Sequence, residues 1–186
     1  GGPATFAATF PNWIEKNHSI MCAVITLTFE NPKSETLTSN NIFCISKKQN
    51  FFLRVLRTIL QILKINNQNT IFIANGLFLE ILIAGIFRKI NFVAKIPGDI
   101  VWERSRNLGR TSTNFLDFQD ENLKMRDRLN RFLFTLCLRK AKKIIAPTQQ
   151  LANIIANWGI SKNRIVVIPN GVDSLIYKPA KIKKEI

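Results

Sequence analysis

The sequence predicts an α/β fold, a Rossmann-like doubly wound parallel sheet. Three observations carry that expectation. Short apolar, β-branched runs recur along the chain, at 20–29, 42–46, 70–74, 91–96, 142–148 and 164–173. Between them lie segments whose apolar residues repeat at helical spacing. Turn residues follow the runs directly: Asn75-Gly76, Pro97-Gly98-Asp99, Pro147-Thr148 and Pro169-Asn170-Gly171. Strands that alternate with helices pair in parallel, because each helix carries the chain back across the sheet.

The elements follow in order. Residues 3–16 read as a helix ending near Asn17, entered through Gly1-Gly2-Pro3. A glycine pair before a helix belongs after a β-strand, where backbone N–H groups can approach a phosphate and the helix end favours its charge. The run 20–29 is unbroken and β-branched, the pattern of a strand covered on both faces. Residues 30–41 read as a loop and 42–46 as a short strand. In 51–64, Phe52, Val55, Leu56, Ile59, Leu60 and Leu63 recur at helical spacing, with Arg54, Arg57, Gln61 and Lys64 on the other side. A strand at 70–74 turns at Asn75-Gly76 into a helix at 77–88, and the strand 91–96 ends at Pro97-Gly98.

A polar, aromatic-studded region, 99–120, is followed by a helix from about 121 to 141 with Leu129, Phe132, Leu133 and Leu136 on one face. The strand 142–148 leads to Thr148, which can cap a helix running to Trp158, where Gly159 stops it. The strand 164–173 carries a turn at Asn170-Gly171 that calls for a positive φ. The remaining tail is charged and linker-like.

Composition narrows the function classes. Hydrophobic residues make up 46% of 186, enough for a sizeable core and against global disorder. Lys and Arg number 27 against 12 Asp and Glu, a net charge of +15, which attracts an anionic partner or simply solvates a basic surface. The three cysteines, Cys22, Cys44 and Cys137, are far apart and sit in apolar runs, and His18 is the single histidine. No metal-ligand spacing results, so no metal is expected, and buried free thiols in a reducing compartment are the simplest account.

The longest apolar stretch, 71–87, is interrupted by Asn75, Gly76 and Glu80 and reads as strand, turn and helix rather than a membrane span. The start lacks a basic region before an apolar one, the signature of a signal peptide. A nucleic-acid partner is not expected, since no reading motif accompanies the charge. A dinucleotide oxidoreductase would need a G-x-G-x-x-G turn that the opening residues lack.

At "VVIPNGVD", 166–173, the sequence resembles the retaining family-4 glycosyltransferases, enzymes of the two-domain GT-B fold. "GGPATFAATFPNWIEKNHSI" is similar to that family's glycine loop, first helix and entry to the second strand. "IIAPTQQLANIIANWGISKNRIVVIPNGVD" is similar to the last helix and strand before its interdomain linker, and "VAKIPGDIVWERSRNLG" to a subgroup with a Lys-x-x-Gly-Asp-x-x-Trp-Glu stretch. The resemblance implies an N-terminal, acceptor-side domain over 1–178 that lacks its first strand, with 179–186 starting the linker and the C-terminal donor domain absent. On that expectation the chain is a fragment, inactive alone, of a cytoplasmic enzyme that can lie peripherally on the inner face of the membrane.

The resemblance also implies the chemistry. A hexose would pass from a nucleotide-sugar donor to a saccharide or lipid-linked acceptor, in polysaccharide or glycolipid biosynthesis, with no cofactor. Gly1 and Gly2 would face the donor phosphates. Asn75, Gly76, Gly98, Trp102, Glu103, Arg106, Thr148, Asn170, Gly171 and Asp173 would line the cleft or acceptor side. Many family members carry a histidine after the fifth strand. None stands here, and Asp99 is the nearest polar candidate, as a hydroxyl-binding group or base, or equally as a helix cap. Trp102 beside Glu103 suits a sugar's C–H face and hydroxyls, although such a Trp is more often a core residue. Arg106 and Arg110 suit a phosphate-bearing acceptor. His18 is read as structural. The basic segments, with Arg54, Arg57 and Lys64 on one and Arg126, Arg128, Arg131, Arg139, Lys140, Lys142 and Lys143 on another, suit an anionic membrane surface as well as plain solvation.

Overall fold

The computed structural model describes residues 2–29 and 42–171, with side chains from residue 5 onward. The helix α1 (Gly2–His18) is followed by β1 (Val24–Thr28), β2 (Ile42–Ser46), α2 (Phe51–Ile65), β3 (Phe72–Ala74) and α3 (Phe78–Phe87). Then come β4 (Phe92–Lys95), α4 (Ile100–Asn107), the single turn α5 (Asp117–Asp120), α6 (Met125–Lys140), β5 (Lys143–Ala146), α7 (Gln149–Asn157) and β6 (Ile165–Val167).

Every strand pair is parallel. The strands form two sheets: β1 pairs β2 with Val24 opposite Ile42, and β3, β4, β5 and β6 pair in chain order. The α/β architecture with parallel sheets is as the sequence predicts. Among the described residues β1, β2, β3 and β6 each keep one unpaired edge. Because the four-stranded sheet grows in one direction, right-handed crossovers place α3, α6 and α7 on the same face. The helix α2 packs against α3, and α3 against α6, so α2 extends that layer.

The core lies between this helix layer and the sheet. Val55, Ile59 and Ile62 of α2, Phe78, Ile81 and Ala84 of α3, and Phe134, Cys137 and Leu138 of α6 join Phe92, Ala94, Ile144 and Ala146 of the strands in one cluster. Each large side chain removed from water contributes about 1.5–3 kcal/mol. Phe134 is its aromatic centre, edge-on to Phe78 at 5.1 Å and to Trp158 at 5.9 Å between ring centroids.

The structure corrects several sequence expectations. The strand 20–29 is shorter, and β1 is half-buried along its length rather than covered on both faces. It belongs to a sheet of two strands, which leaves water access that a central strand lacks. The last strand also stops early, at Val167. Positive φ occurs at Ser19, Gly76, Leu77, Gly109 and Gly159, not at Asn170 or Gly171. The region 99–120 contains α4 and α5.

Two helices turn differently from their apolar patterns. On α2 the buried residues are Val55, Thr58, Ile59 and Ile62, while Phe52, Leu56 and Leu60 are exposed. On α6 the buried residues are Asp127, Phe134, Cys137 and Leu138, while Leu129 and Phe132 face water. Asp127 explains the second case: its carboxylate pairs with Arg110 at 2.7 Å and accepts from the Ser105 hydroxyl at 3.0 Å, so a charged residue holds a core position. Of the cysteines, Cys137 is buried and Cys22 and Cys44 are half-buried. No helix among the described residues is long and apolar enough to cross a membrane. The loop 30–41, Gly1, Asp173 and the tail 179–186 lie outside the described residues.

Candidate active site

Parallel strands bring all their carboxyl ends to one edge, where crevices open between diverging loops. In the four-stranded sheet that edge gathers Asn75-Gly76 after β3, Pro97-Gly98-Asp99 after β4, Pro147-Thr148 after β5 and Pro169-Asn170-Gly171 after β6. Gly76, at φ +147°, allows the turn that starts α3, and Leu77 follows in the left-handed region.

Lys95, the last residue of β4, ties this edge together. Its ammonium donates to Asn170 Oδ1 at 3.0 Å and lies 5.1 Å from the centroid of the Phe6 ring in α1. A half-buried cation therefore joins the first helix, the middle of the sheet and the loop after β6.

Asp99 is the most deeply committed residue of the edge, with 1% of its surface exposed. It caps α4: Oδ1 accepts from the backbone N–H of Val101 at 2.9 Å and of Trp102 at 3.3 Å. Its Oδ2 accepts from Arg131 at 2.6 Å and from the Gln119 amide at 3.1 Å. Gln119 Oε1 in turn accepts from Arg131 at 3.0 Å and from the Trp158 indole N–H at 3.3 Å. The Arg131 guanidinium lies 4.4 Å from the Trp158 ring centroid. This network joins α4, α5, α6 and the end of α7 beneath the strand ends. Burial pulls the Arg131 pKa down, and the Asp99 carboxylate partly offsets that.

Glu103 sits one turn into α4 and folds back over Gly98. A Cβ on Gly98 would lie 2.5 Å from Glu103 Oε1, so the missing side chain is what lets the carboxylate approach the backbone. Partial burial, with the nearby Asp99 charge adding to it, pushes the Glu103 pKa up. Glu103 thus combines a surface position with an increased proton affinity, whereas Asp99 is enclosed.

The other expected residues divide. Trp102 is half-buried, its indole N–H donating to the Thr113 carbonyl at 3.2 Å and its ring edge-on to Phe115 at 5.6 Å. Arg106 donates to the same carbonyl at 3.3 Å and lies over the Trp102 ring at 5.5 Å, so both brace the 108–116 loop. Arg110 is taken by Asp127. Thr148 caps α7, its hydroxyl accepting from the Leu151 N–H at 3.2 Å. His18 closes α1, 5.2 Å from Trp13 between ring centroids. No group of three or more His, Cys, Asp or Glu side chains able to hold a metal occurs among the described residues.

The sequence reading missed Lys95, Arg131, Gln119 and Trp158 as parts of this edge. Lys95 was visible in the Lys-x-x-Gly-Asp stretch. The other three come from distant elements, and only their meeting at Asp99 gives them a role.

The family model described as Glycosyltransferase Family 4 matches residues 23–174, a span that begins just before β1 and ends beyond the loop after β6. The chain belongs to glycosyltransferase family 4. This glycosyltransferase domain therefore carries the strand-end edge, Lys95, Asp99 and Glu103 within its matched span. Comparison with curated proteins finds no match, and comparison with solved structures finds none.

Proposed function

We propose that this domain forms the acceptor-side wall of a retaining, nucleotide-sugar-dependent glycosyltransferase, transferring a hexose to a saccharide or lipid-linked acceptor. The observation that carries the reading is the convergence of Lys95, Asn170 and Glu103 on the strand-end edge of a family-4 domain. Sugar transfer from a nucleoside diphosphate requires stabilised charge on the leaving diphosphate, an oriented acceptor hydroxyl and exclusion of water. Lys95 supplies the cation, held by Asn170 and beside the first turns of α1, whose N-terminus also favours an anion. Glu103 supplies a carboxylate suited to a hydroxyl, with Gly98 leaving room for it.

Asp99 acts in this reading as a positioning residue. Both its oxygens are occupied, so it fixes the start of α4 and with it the place of Glu103. Polysaccharide or glycolipid synthesis is the setting this chemistry fits, without a metal or organic cofactor.

Calorimetric titration of the 186-residue chain with UDP-glucose and GDP-mannose as probes tests the reading. Binding is expected, and Lys95→Met is expected to weaken it about tenfold while the fold, followed by circular dichroism, stays intact. Equal affinity in wild type and Lys95→Met, or binding of neither probe, would overturn the assignment of the donor diphosphate to Lys95.

A further inference from the structure

A cavity of about 40 Å³ opens between α2 and β2 of the two-stranded sheet. Phe43, Cys44 and Ile45 line it from β2, and Arg57 and Gln61, one turn apart, from α2. None of these residues belongs to the strand-end edge of the four-stranded sheet. Consecutive strand residues point to opposite faces, so a cavity that meets three in a row lies along the edge of the strand. Among the described residues β2 pairs only with β1, and its other edge has no neighbouring strand.

The ladder fixes which backbone groups face that edge. The Lys47 N–H donates to the Thr28 carbonyl of β1 at 2.6 Å. Backbone groups alternate in direction along a strand, so those of Phe43 and Ile45 also turn to β1, and the Cys44 N–H turns to the unpaired edge. From α2, the amide nitrogen of Gln61 is buried and has no hydrogen-bond partner among the described residues. A buried donor left unmet destabilises a fold, and an acceptor oxygen in the cavity removes that cost. Arg57 adds positive charge beside the two donors, and α2 carries no carboxylate.

Size limits the occupant. A water-sized group needs about 10–15 Å³, so the cavity takes about three, the heavy atoms of one carboxylate. A phosphate exceeds that volume. A neutral carbonyl fits it and leaves the Arg57 charge unused.

We infer that this cavity binds a carboxylate, carried by a small free acid or by an acidic side chain of an extended peptide lying along β2. Its oxygens accept from the Gln61 amide and the Cys44 N–H, Arg57 balances its charge, and Phe43 and Ile45 meet its apolar stem.

The Cys44 thiol reports occupancy. The test follows iodoacetamide modification of the 186-residue chain residue by residue, by mass spectrometry at pH 8. Sodium acetate is compared with sodium chloride at equal ionic strength, and acetyl-Val-Asp-Val-amide with acetyl-Val-Asn-Val-amide. Acetate is expected to slow Cys44 modification about tenfold at about ten times its dissociation constant, since only the free site reacts, and to leave Cys22 unchanged. Gln61→Leu should abolish this protection with an unchanged or higher melting temperature, because it also removes the unmet donor. Gln61→Glu keeps the shape and sets like charge against the ligand, so it should abolish protection too.

Tighter binding of the Asp peptide than of acetate assigns the carboxylate to a peptide, and equal or weaker binding assigns it to a free acid. The inference is overturned if neither protects Cys44, which would leave the cavity to water. It is also overturned if chloride or the Asn peptide protects equally, or if protection survives both Gln61 substitutions. None of these outcomes bears on sugar-nucleotide binding at the strand ends.

Discussion

Replacing Asp99 tests how the candidate site is held. The carboxylate is fully enclosed and the Arg131 side chain is 14% exposed, so neither can turn to water if its partner is lost. Asp99→Asn keeps an acceptor for the α4 cap, because asparagine caps as well as aspartate, and removes the charge. Breaking a buried ion pair from one side costs about 3–5 kcal/mol, since the other charge stays enclosed. Asp99→Ala adds the lost cap, about 1 kcal/mol. Against a typical total of about 5–15 kcal/mol either change is a large share.

Arg131→Met removes the other charge, and the double variant Asp99→Asn, Arg131→Met leaves no unpaired ion. It should therefore be more stable than the two single losses summed, by about 2 kcal/mol or more. Urea unfolding followed by circular dichroism reads this directly. At a slope of about 1–3 kcal/mol per molar, a loss of about 3 kcal/mol moves the midpoint by about 1 M or more. Additive single losses, within about 0.5 kcal/mol, would refute the claim that Asp99 and Arg131 act as a pair.

Three further outcomes follow from the same geometry. Burial raises the Glu103 pKa in the folded chain, so the folded state binds the proton more tightly, and this contribution is present at low pH and fades as pH rises through the raised pKa. Glu103→Gln should therefore raise the melting temperature slightly at neutral pH relative to wild type and change it less at acid pH; a difference that does not vary with pH contradicts the cause given. The Cys137 thiol, buried and pushed up to about 12, should resist a thiol-specific reagent at pH 8 until the chain unfolds, while half-buried Cys22 and Cys44 react sooner, and rapid labelling of Cys137 would contradict its enclosure. Thr148→Ala should cost about 1 kcal/mol in urea unfolding and Thr148→Asp almost nothing, since aspartate also caps; equal losses would show that the cap bond to Leu151 is unimportant.

The sequence made the strand-end edge legible because turn chemistry is local. Asn75-Gly76, Pro97-Gly98, the Thr148 cap and the Gly159 stop each announce themselves within a few residues, and the structure uses all four. Parallel pairing followed from the alternation of strands and helices. What stayed hidden depends on partners far along the chain. The apolar pattern of α6 gave no sign that Asp127 would be enclosed, because Ser105 on α4 and Arg110 just beyond it, which make that possible, lie elsewhere in the chain. The same pattern gave Phe52, Leu56 and Leu60 to the core side of α2, yet the neighbouring sheet covers only the side of Val55, Ile59 and Ile62. The positive φ expected at Asn170-Gly171 does not occur, and the Asn170 side chain accepts from Lys95 across the sheet edge, a partner the local turn pattern does not reveal.

The central claim is that sugar-nucleotide chemistry belongs to the carboxyl ends of β3 to β6. Amide chemical-shift mapping of the labelled chain during addition of UDP-glucose tests it most directly. The account predicts shifts concentrated at residues 75–77, 95–99, 147–149 and 168–171, with the outer faces of α2 and α6 unchanged. Shifts at the opposite edge of the sheet, or spread along those helix faces, would contradict it.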